Sequence, residues 1–334
     1  MIWFKRLLTL ALFAILLYLF WPLAQELKNL GGELRQASWG WLLTAVLIQF
    51  VSYAFLGGLN LLLLRPFPGQ IGFWRIMLIL PAMAFIEVTI PSAGASGVIL
   101  RARLLGKNGY SIESSTFTVA LENVFIGVTM LAFSMLGLAY MIRSGELRLV
   151  QLITLGMLGL LLLIVSGFAV WLGRDRERVK RVSIRLTGTF NHWRLRFQRK
   201  TTPSEMVTQR VDKFYEGLTW LRRRPTWPYW FTAFGRVGLD IACLAACFAA
   251  FQYAISPGLL LTGYGLMLLI SGVASLPGGL GMADLSLSII YARLGAPGVV
   301  AIAAALSYRL IAWWLVRFVG FVSWQVMEAE GGKN

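Results

Sequence analysis

Along the 334-residue chain, long apolar runs alternate with short polar intervals. Six runs, at about 7–24, 39–64, 115–141, 149–172, 228–254 and 298–323, reach the roughly 20 residues that cross a hydrocarbon core. Trp39, Trp41, Trp227, Trp230 and Trp324 stand near their ends, where amphipathic rings settle at a membrane–water interface. The pattern predicts six membrane-spanning helices.

Two further apolar stretches are broken. The first, 73–108, reads FWRIMLILPAMAFIEVTIPSAGASGVILRARLLGKN; the second, 259–294, has SLPGGLGMADL at its centre. Each holds an apolar run, then a Pro/Gly/Ser break, then a helical piece too short to be a span. Irregular backbone at membrane depth is tolerated only where protein or a water-filled cavity covers it. Both stretches are therefore expected to be re-entrant broken-helix hairpins. The fold class is an all-α polytopic membrane protein, one membrane domain over 1–334, with six spans and two hairpins.

Composition agrees: charged residues make up only 14% of the chain, against about 25% in soluble domains. Lys5 and Arg6 followed by an apolar core imitate a secretory leader, but bulky Phe20, Trp21 and Pro22 stand where a small-residue cleavage site belongs. The segment is read as an uncleaved first span. The formal net charge of +16 is concentrated: residues 174–224 hold 15 basic and 5 acidic residues. Cytoplasmic loops collect Lys and Arg, and anionic inner-leaflet lipid attracts them. The balance points to topology and lipid, with no nucleic acid partner. Positive-inside bookkeeping puts both termini and the insert at 173–227 in the cytoplasm, brings the first hairpin in from the cytoplasm with Arg101, Arg103 and Lys107 at that side, and brings the second in from outside.

Within the insert, Val182, Leu186, Phe190, Trp193 and Phe197 share one helical face, as do Val207, Val211, Phe214, Leu218 and Leu221. Two basic amphipathic helices lying on the cytoplasmic leaflet are expected. A docking site for a soluble partner is the sharper alternative, but composition alone accounts for surface adsorption.

The broken stretches align without gaps at an offset of 186 residues: Pro91 on Pro277, Gly109 on Gly295, and Glu122-Asn123 on Tyr308-Arg309. The order is the same each time: apolar run, break, short helix, glycine turn, long span. This predicts a first repeat at 73–141 and a second at 259–323. Because the hairpins enter from opposite sides, the copies are expected to be inverted, a plan in which transporters hold substrate near the midplane at broken helices.

Six ionisable residues fall inside these segments: Glu87, Glu122, Arg236, Asp240, Asp284 and Arg309. Each costs about 2.5–3.5 kcal/mol at the bilayer centre unless it faces a polar cavity or a partner. Arg236 and Asp240, at i and i+4, can pair on one face, either as a structural salt bridge or as part of a site. Glu122 is a candidate partner for Arg309. Glu87 and Asp284 flank the two breaks, where each either holds its hairpin or contacts a headgroup. Arg317, nearer a helix end, reads as a snorkelling side chain. Helix N-termini that start at depth attract anions. The candidate phosphate cradle is Ser92, Gly94, Ser96 and Gly97 in one break and Pro277, Gly278, Gly279 and Gly281 in the other, with Arg309. Cys243 and Cys247 read as small packing residues, and the single His192 as solvated; no metal or cofactor spacing is present.

The motifs IPSAGASG, LLGKNGYS and VALEN, followed by LPGGLGMAD, LGAP and AALSYRLIAWWL, resemble the membrane region of the bacterial lysylphosphatidylglycerol synthase/flippase family, over about residues 7–323. The resemblance implies translocation of phospholipid across a cytoplasmic membrane, by a chain without the cytosolic aminoacyl-transferase domain. Two departures stand out. Asp284 lies one residue later than the acid the family commonly carries after PGGLG, and Glu122-Asn123 replaces a common Glu-Arg. The leading expectation is a flippase for an anionic or aminoacylated lipid, without cofactor and without an ATP-binding loop. The alternatives are an intramembrane lipid-modifying transferase, for which no nucleophile–base set is evident, and a scaffold acting through the basic insert.

Overall fold

A computed structural model of the chain describes residues 37–89, 95–143, 204–273 and 282–331, with isolated positions between 156 and 185. The described residues are helical, without strands. In chain order the helices are α1 (Trp39–Leu64), α2 (Phe73–Thr89), α3 (Ala95–Gly106), α4 (Ile112–Arg143), α5 (Ser204–Arg222), α6 (Trp227–Ala250), α7 (Pro257–Val273), α8 (Met282–Leu294), α9 (Gly298–Arg309) and α10 (Val316–Gly331), with a π-helical turn, Leu310–Leu315, joining α9 to α10.

Among the described residues, four helices are long and apolar enough to cross a membrane: α1, α4 to Tyr140, α6, and the composite helix Gly298–Ala329. They coincide with four of the six expected spans. The other two, 7–24 and 149–172, lie outside the described residues. At about 1.5 Å per residue the 26 residues of α1 reach about 39 Å, whereas the 12 of α3 reach about 18 Å, too short for a crossing. Each expected hairpin is accordingly a pair of shorter helices, α2–α3 and α7–α8, on either side of its Pro/Gly break; the breaks themselves lie outside the described residues.

The element pattern recurs. Lengths of 26, 17, 12 and 32 residues in α1–α4 are followed by 24, 17, 13 and 32 in α6, α7, α8 and Gly298–Ala329. The recurring unit is thus one helix longer than the aligned sequence stretch, because α1 and α6 precede the hairpins in the same way. Both short helices end in the same cap. The Tyr110 N–H bonds to the Leu105 carbonyl and that of Gly109 to Gly106; 186 residues on, Ala296 bonds to Tyr291 and Gly295 to Ala292. These are the two bonds of a Schellman cap, whose turn residue is left-handed. Gly109 and Gly295 have φ of 82° and 112°, where any side chain is strained.

Packing exchanges partners between the two groups. Ser52 of α1 meets Arg236 of α6, Gly58 lies against Thr232, and the Ser38 N–H reaches the Ala250 carbonyl. The paired numbers rise on one helix as they fall on the other, so α1 and α6 run antiparallel. The first hairpin's α2 packs on α10, with Phe85 edge-on to Phe321. The second hairpin's α7 packs on α4, where Gly265 abuts Ser134 and Gly137 abuts Leu261. Small residues let these backbones approach, as membrane helices require in the absence of a hydrophobic drive between them.

Part of the apolar face of α5 is taken up by the bundle. Phe214, Leu218 and Leu221 pack against Leu59, Leu63, Phe117 and Leu121 of α1 and α4, with the Phe117 and Phe214 rings 5.3 Å apart and edge-on. Three of the five residues of the stripe thus contact protein. Arg210 and Lys213 flank Glu113 at 3.5 and 3.8 Å. Asp212 binds Lys180 at 2.8 Å and Arg176 at 2.9 Å, and these two cations hold its carboxyl below the ordinary aspartate range. Of the first expected amphipathic helix only 183–185 are described.

Candidate functional site

Among the described residues, the polar groups within the membrane helices gather into three clusters. The first is centred on Asp240, 5% exposed. Arg236 and Asp240 pair across one turn of α6, Nη1 to Oδ1 at 2.9 Å, as their spacing predicts. The other carboxylate oxygen accepts the hydroxyls of Tyr264 on α7 at 2.9 Å and Tyr308 on α9 at 2.7 Å. Arg236 also donates to the Ser52 hydroxyl at 2.6 Å, and its guanidinium lies 5.0 Å over the Tyr53 ring. Ser52 in turn donates to the Arg236 carbonyl at 2.7 Å. One carboxylate therefore ties α6, α7 and α9 together, and through Arg236 reaches α1. With three donors on it, one of them a cation, the carboxylate is stable in a low-dielectric interior, where an unpaired charge would be very costly.

The second cluster lies in the first half. Arg101 of α3, 1% exposed, donates Nη1 to Glu122 of α4 at 2.9 Å and Nη2 to the Asn60 side-chain carbonyl on α1. Asn60 is anchored by its amide to the Leu56 carbonyl at 2.8 Å. Glu122 thus finds Arg101 as its partner, where the sequence pointed to Arg309. Arg101 itself, expected at the cytoplasmic rim, is turned into the bundle.

The third cluster surrounds the π-helical turn. Trp313 lies within it, with Arg309 4.6 Å and Arg317 3.7 Å over its ring. Arg317 donates Nη1 to the Trp313 carbonyl at 2.9 Å, and its Nε is buried without a hydrogen-bond partner among the described residues. Snorkelling does not describe this side chain: it is folded back on its own helix, within electrostatic reach of Glu87 and Tyr53. Single π turns are rare and occur often at functional sites. Glu87, near the end of α2, packs its carboxylate against Gly97 in the first turn of α3, where a Cβ would collide with it. Acidic groups are favoured at such an N-terminus. Glu87 also lies within electrostatic range of Glu122 and Arg101, so the second and third clusters adjoin.

Tyr53 links all three, within the electrostatic range of Arg236, Arg317, Asp240 and Glu122. The sequence reading named Arg236, Asp240, Glu122, Glu87 and Arg309; it missed Arg101, Arg317, Tyr53, Tyr264, Tyr308 and Asn60. The alignment of Tyr308 on Glu122 was the one signal available. Ser92, Gly94, Pro277, Gly278, Gly279 and Gly281 lie outside the described residues, as do the side chains of Ser96 and Asp284. Among the described residues no group of His, Cys, Asp and Glu is arranged to hold a metal ion.

A helical bundle whose described residues hold four apolar spans with ion pairs buried between them defines a polytopic membrane protein. The family model described as the lysylphosphatidylglycerol synthase TM region matches residues 6–320, and the chain belongs to that family. It is similar to a UPF0104 membrane protein of Methanocaldococcus jannaschii, 24% identical over 267 residues, covering 78% of this chain and 77% of that protein. A UPF0104 membrane protein of Methanothermobacter thermautotrophicus is 26% identical over 260 residues, covering 75% and 73% respectively.

Proposed function

We propose that the protein moves a phospholipid, anionic or aminoacylated, across a cytoplasmic-type membrane, and that its two halves form an inverted repeat with two re-entrant hairpins. The observation that carries this reading is the meeting of α1 and α6. These equivalent helices pack antiparallel, and their contact at Ser52 and Arg236 falls near the midpoint of both. If α1 and α6 span a bilayer, equivalent helices that run antiparallel make inverted copies, and the Arg236–Asp240 network then sits at the midplane between them. That is the depth at which inverted-repeat transporters bind substrate.

Roles divide by position. Asp240 has its hydrogen bonds, so Arg236 and Asp240 act as the pivot that joins the halves. Arg309 and Arg317, on either side of Trp313, offer cationic and aromatic surface to a phosphate-bearing headgroup. Glu87 beside the first break offers a carboxylate to a cationic headgroup or a coupling proton. Glu122 fixes Arg101 and thereby the first hairpin. The Ser92–Gly97 and Pro277–Gly281 breaks supply backbone N–H groups, and the acyl chains stay in the bilayer. Arg210, Lys213 and the neighbouring cations of the 173–227 insert attract anionic inner-leaflet lipid, with the termini on that same side.

The test is transport in unilamellar vesicles holding the purified protein. Tail-labelled fluorescent phosphatidylglycerol, phosphatidylethanolamine and lysylphosphatidylglycerol report headgroup exposure by quenching from outside. At least one of the three should equilibrate more than about tenfold faster than in empty vesicles, a barrier change of about 1.4 kcal/mol, and Arg317→Leu or Glu87→Gln should abolish the gain. Rates equal to empty vesicles for all three lipids would refute the reading.

A further inference from the structure

Gln49 stands apart from every cluster described above. It lies on the buried stripe of α1, 3% exposed. Among the described residues neither its amide nitrogen nor its carbonyl oxygen has a hydrogen-bond partner. A buried amide left this way costs about 1–3 kcal/mol, and nearly all such groups in folded proteins are satisfied by something. It also lines a cavity of about 500 Å³, within the usual range for ligand pockets. The cavity is bounded by α1, α2, the π turn and α10. Its walls are apolar: Phe50, Met77, Pro81, Leu315 and Val319 among them, with Tyr53 at the side of the charged core. Phe50, Trp74 and Val319 are exposed on the flank that would face lipid, so the cavity opens sideways into the bilayer rather than toward water.

The geometry points to a binding site for a single-chain amphiphile, entered from the bilayer, whose neutral polar end pairs with the Gln49 amide. The chemistry follows from the two unsatisfied atoms. The guest must donate to Oε1 and accept from Nε2 at once. A primary amide does so reciprocally, a hydroxyl does so with one oxygen, and a protonated carboxylic acid does so as well. A carboxylate fails, because it has no proton for Oε1 and its charge would be stranded in an apolar cavity. A plain hydrocarbon leaves both atoms orphaned. The apolar body lies against Met77, Pro81 and Leu315. Occupancy is sensed at the π turn that carries Trp313, since Ile311 and Leu315 of that turn form part of the wall. This site is separate from the proposed headgroup site and does not depend on lipid transport.

The experiment uses the full chain in lipid nanodiscs and hexadecanamide bearing a mid-chain diazirine. After irradiation, the label is mapped by peptide mass spectrometry. Labelling should concentrate on 77–81 and 315–319. Hexadecan-1-ol should compete and hexadecane should not. Gln49→Leu should cut labelling at least about fivefold, near the net worth of one hydrogen bond, and should raise the thermal midpoint of the empty protein, because an apolar replacement removes the orphaned amide. Val319→Trp, at an exposed wall position and harmless to the core, should block entry even if Gln49→Leu fails to fold. Labelling indifferent to both variants, labelling spread over all lipid-facing helices, or competition by hexadecane equal to that of the alcohol would each overturn the proposal.

Discussion

The two halves share a backbone frame and differ in their chemistry. Short helices end in the same pair of cap hydrogen bonds at Gly109 and Gly295. Ser134 and Gly320, equivalent at the 186-residue offset, both receive the first arm of the other half's hairpin, at Gly265 and Pro81. The charges ignore this symmetry. In the first half Arg101 and Glu122 pair within the half; their equivalents are Leu287 and Tyr308. In the second, Asp240 gathers residues from α6, α7 and α9, while its equivalent on α1 is Ala54. Only the Glu122/Tyr308 position is polar and engaged in both. Symmetric packing sets up two similar hairpins, and asymmetric charge makes them unequal: one is pinned by its own ion pair, the other by a network that also holds the neighbouring half.

The sharpest way to break that comparison is to remove one charge from each cluster. Asp240→Ala leaves Arg236 buried without its carboxylate and should cost about 3–5 kcal/mol, seen as a large drop in thermal midpoint and a loss of contact between the halves. The double variant Arg236→Leu/Asp240→Leu should recover most of that loss, because a well-packed apolar pair often replaces a buried ion pair without penalty. Glu122→Ala should cost less than Asp240→Ala, since Glu122 is 15% exposed and Arg101 keeps Asn60. Equal losses at the two sites would remove the asymmetry.

The symmetric part predicts equal effects. Gly109→Ala and Gly295→Ala each force a left-handed conformation that costs about 1–2 kcal/mol. The two variants should lower the midpoint alike, as measured by fluorescence-detected unfolding. A difference larger than the cost itself would show that the caps are not doing the same job. The smallest effect belongs to Asp212. Its carboxyl is held low by Lys180 and Arg176, so its contribution is present above the unfolded aspartate pKa and is lost as the pH falls through the lower folded value. Hydrogen-exchange protection across 176–185 and α5, corrected for the intrinsic pH dependence of exchange, should be flat from pH 7 to 5 and fall below about pH 4. In Asp212→Asn the low-pH step should vanish.

Much of the frame is legible in the sequence, because period and length carry it. Apolar runs marked α1 at its observed bounds, and the Pro/Gly breaks with their glycine turns marked the paired short helices. Charge and partner were harder to read. Arg101 looks cytoplasmic when counted as a loop cation; only the fold reveals Glu122 and Asn60, 21 and 41 residues away, closing around it. Tyr264 and Tyr308 read as ordinary aromatic filling, since a tyrosine hydroxyl declares nothing until an acceptor such as Asp240 is placed opposite. The amphipathic stripe of α5 was visible, but its covering was not: a stripe of Phe214, Leu218 and Leu221 suits a lipid surface or a protein groove equally well.

The central claim is that the two copies are inverted in the membrane, and sidedness tests it directly. Lys107 and Arg293 occupy the same exposed place, two residues before the glycine of each cap, 186 residues apart. In a background of Cys243→Ala and Cys247→Ala, whose thiols are buried and free, Lys107→Cys and Arg293→Cys are each treated with a membrane-impermeant maleimide on intact cells and on inside-out vesicles. Inversion predicts that Lys107→Cys is labelled only from the cytoplasmic face and Arg293→Cys only from the outer face. Labelling of both from one and the same face would contradict it.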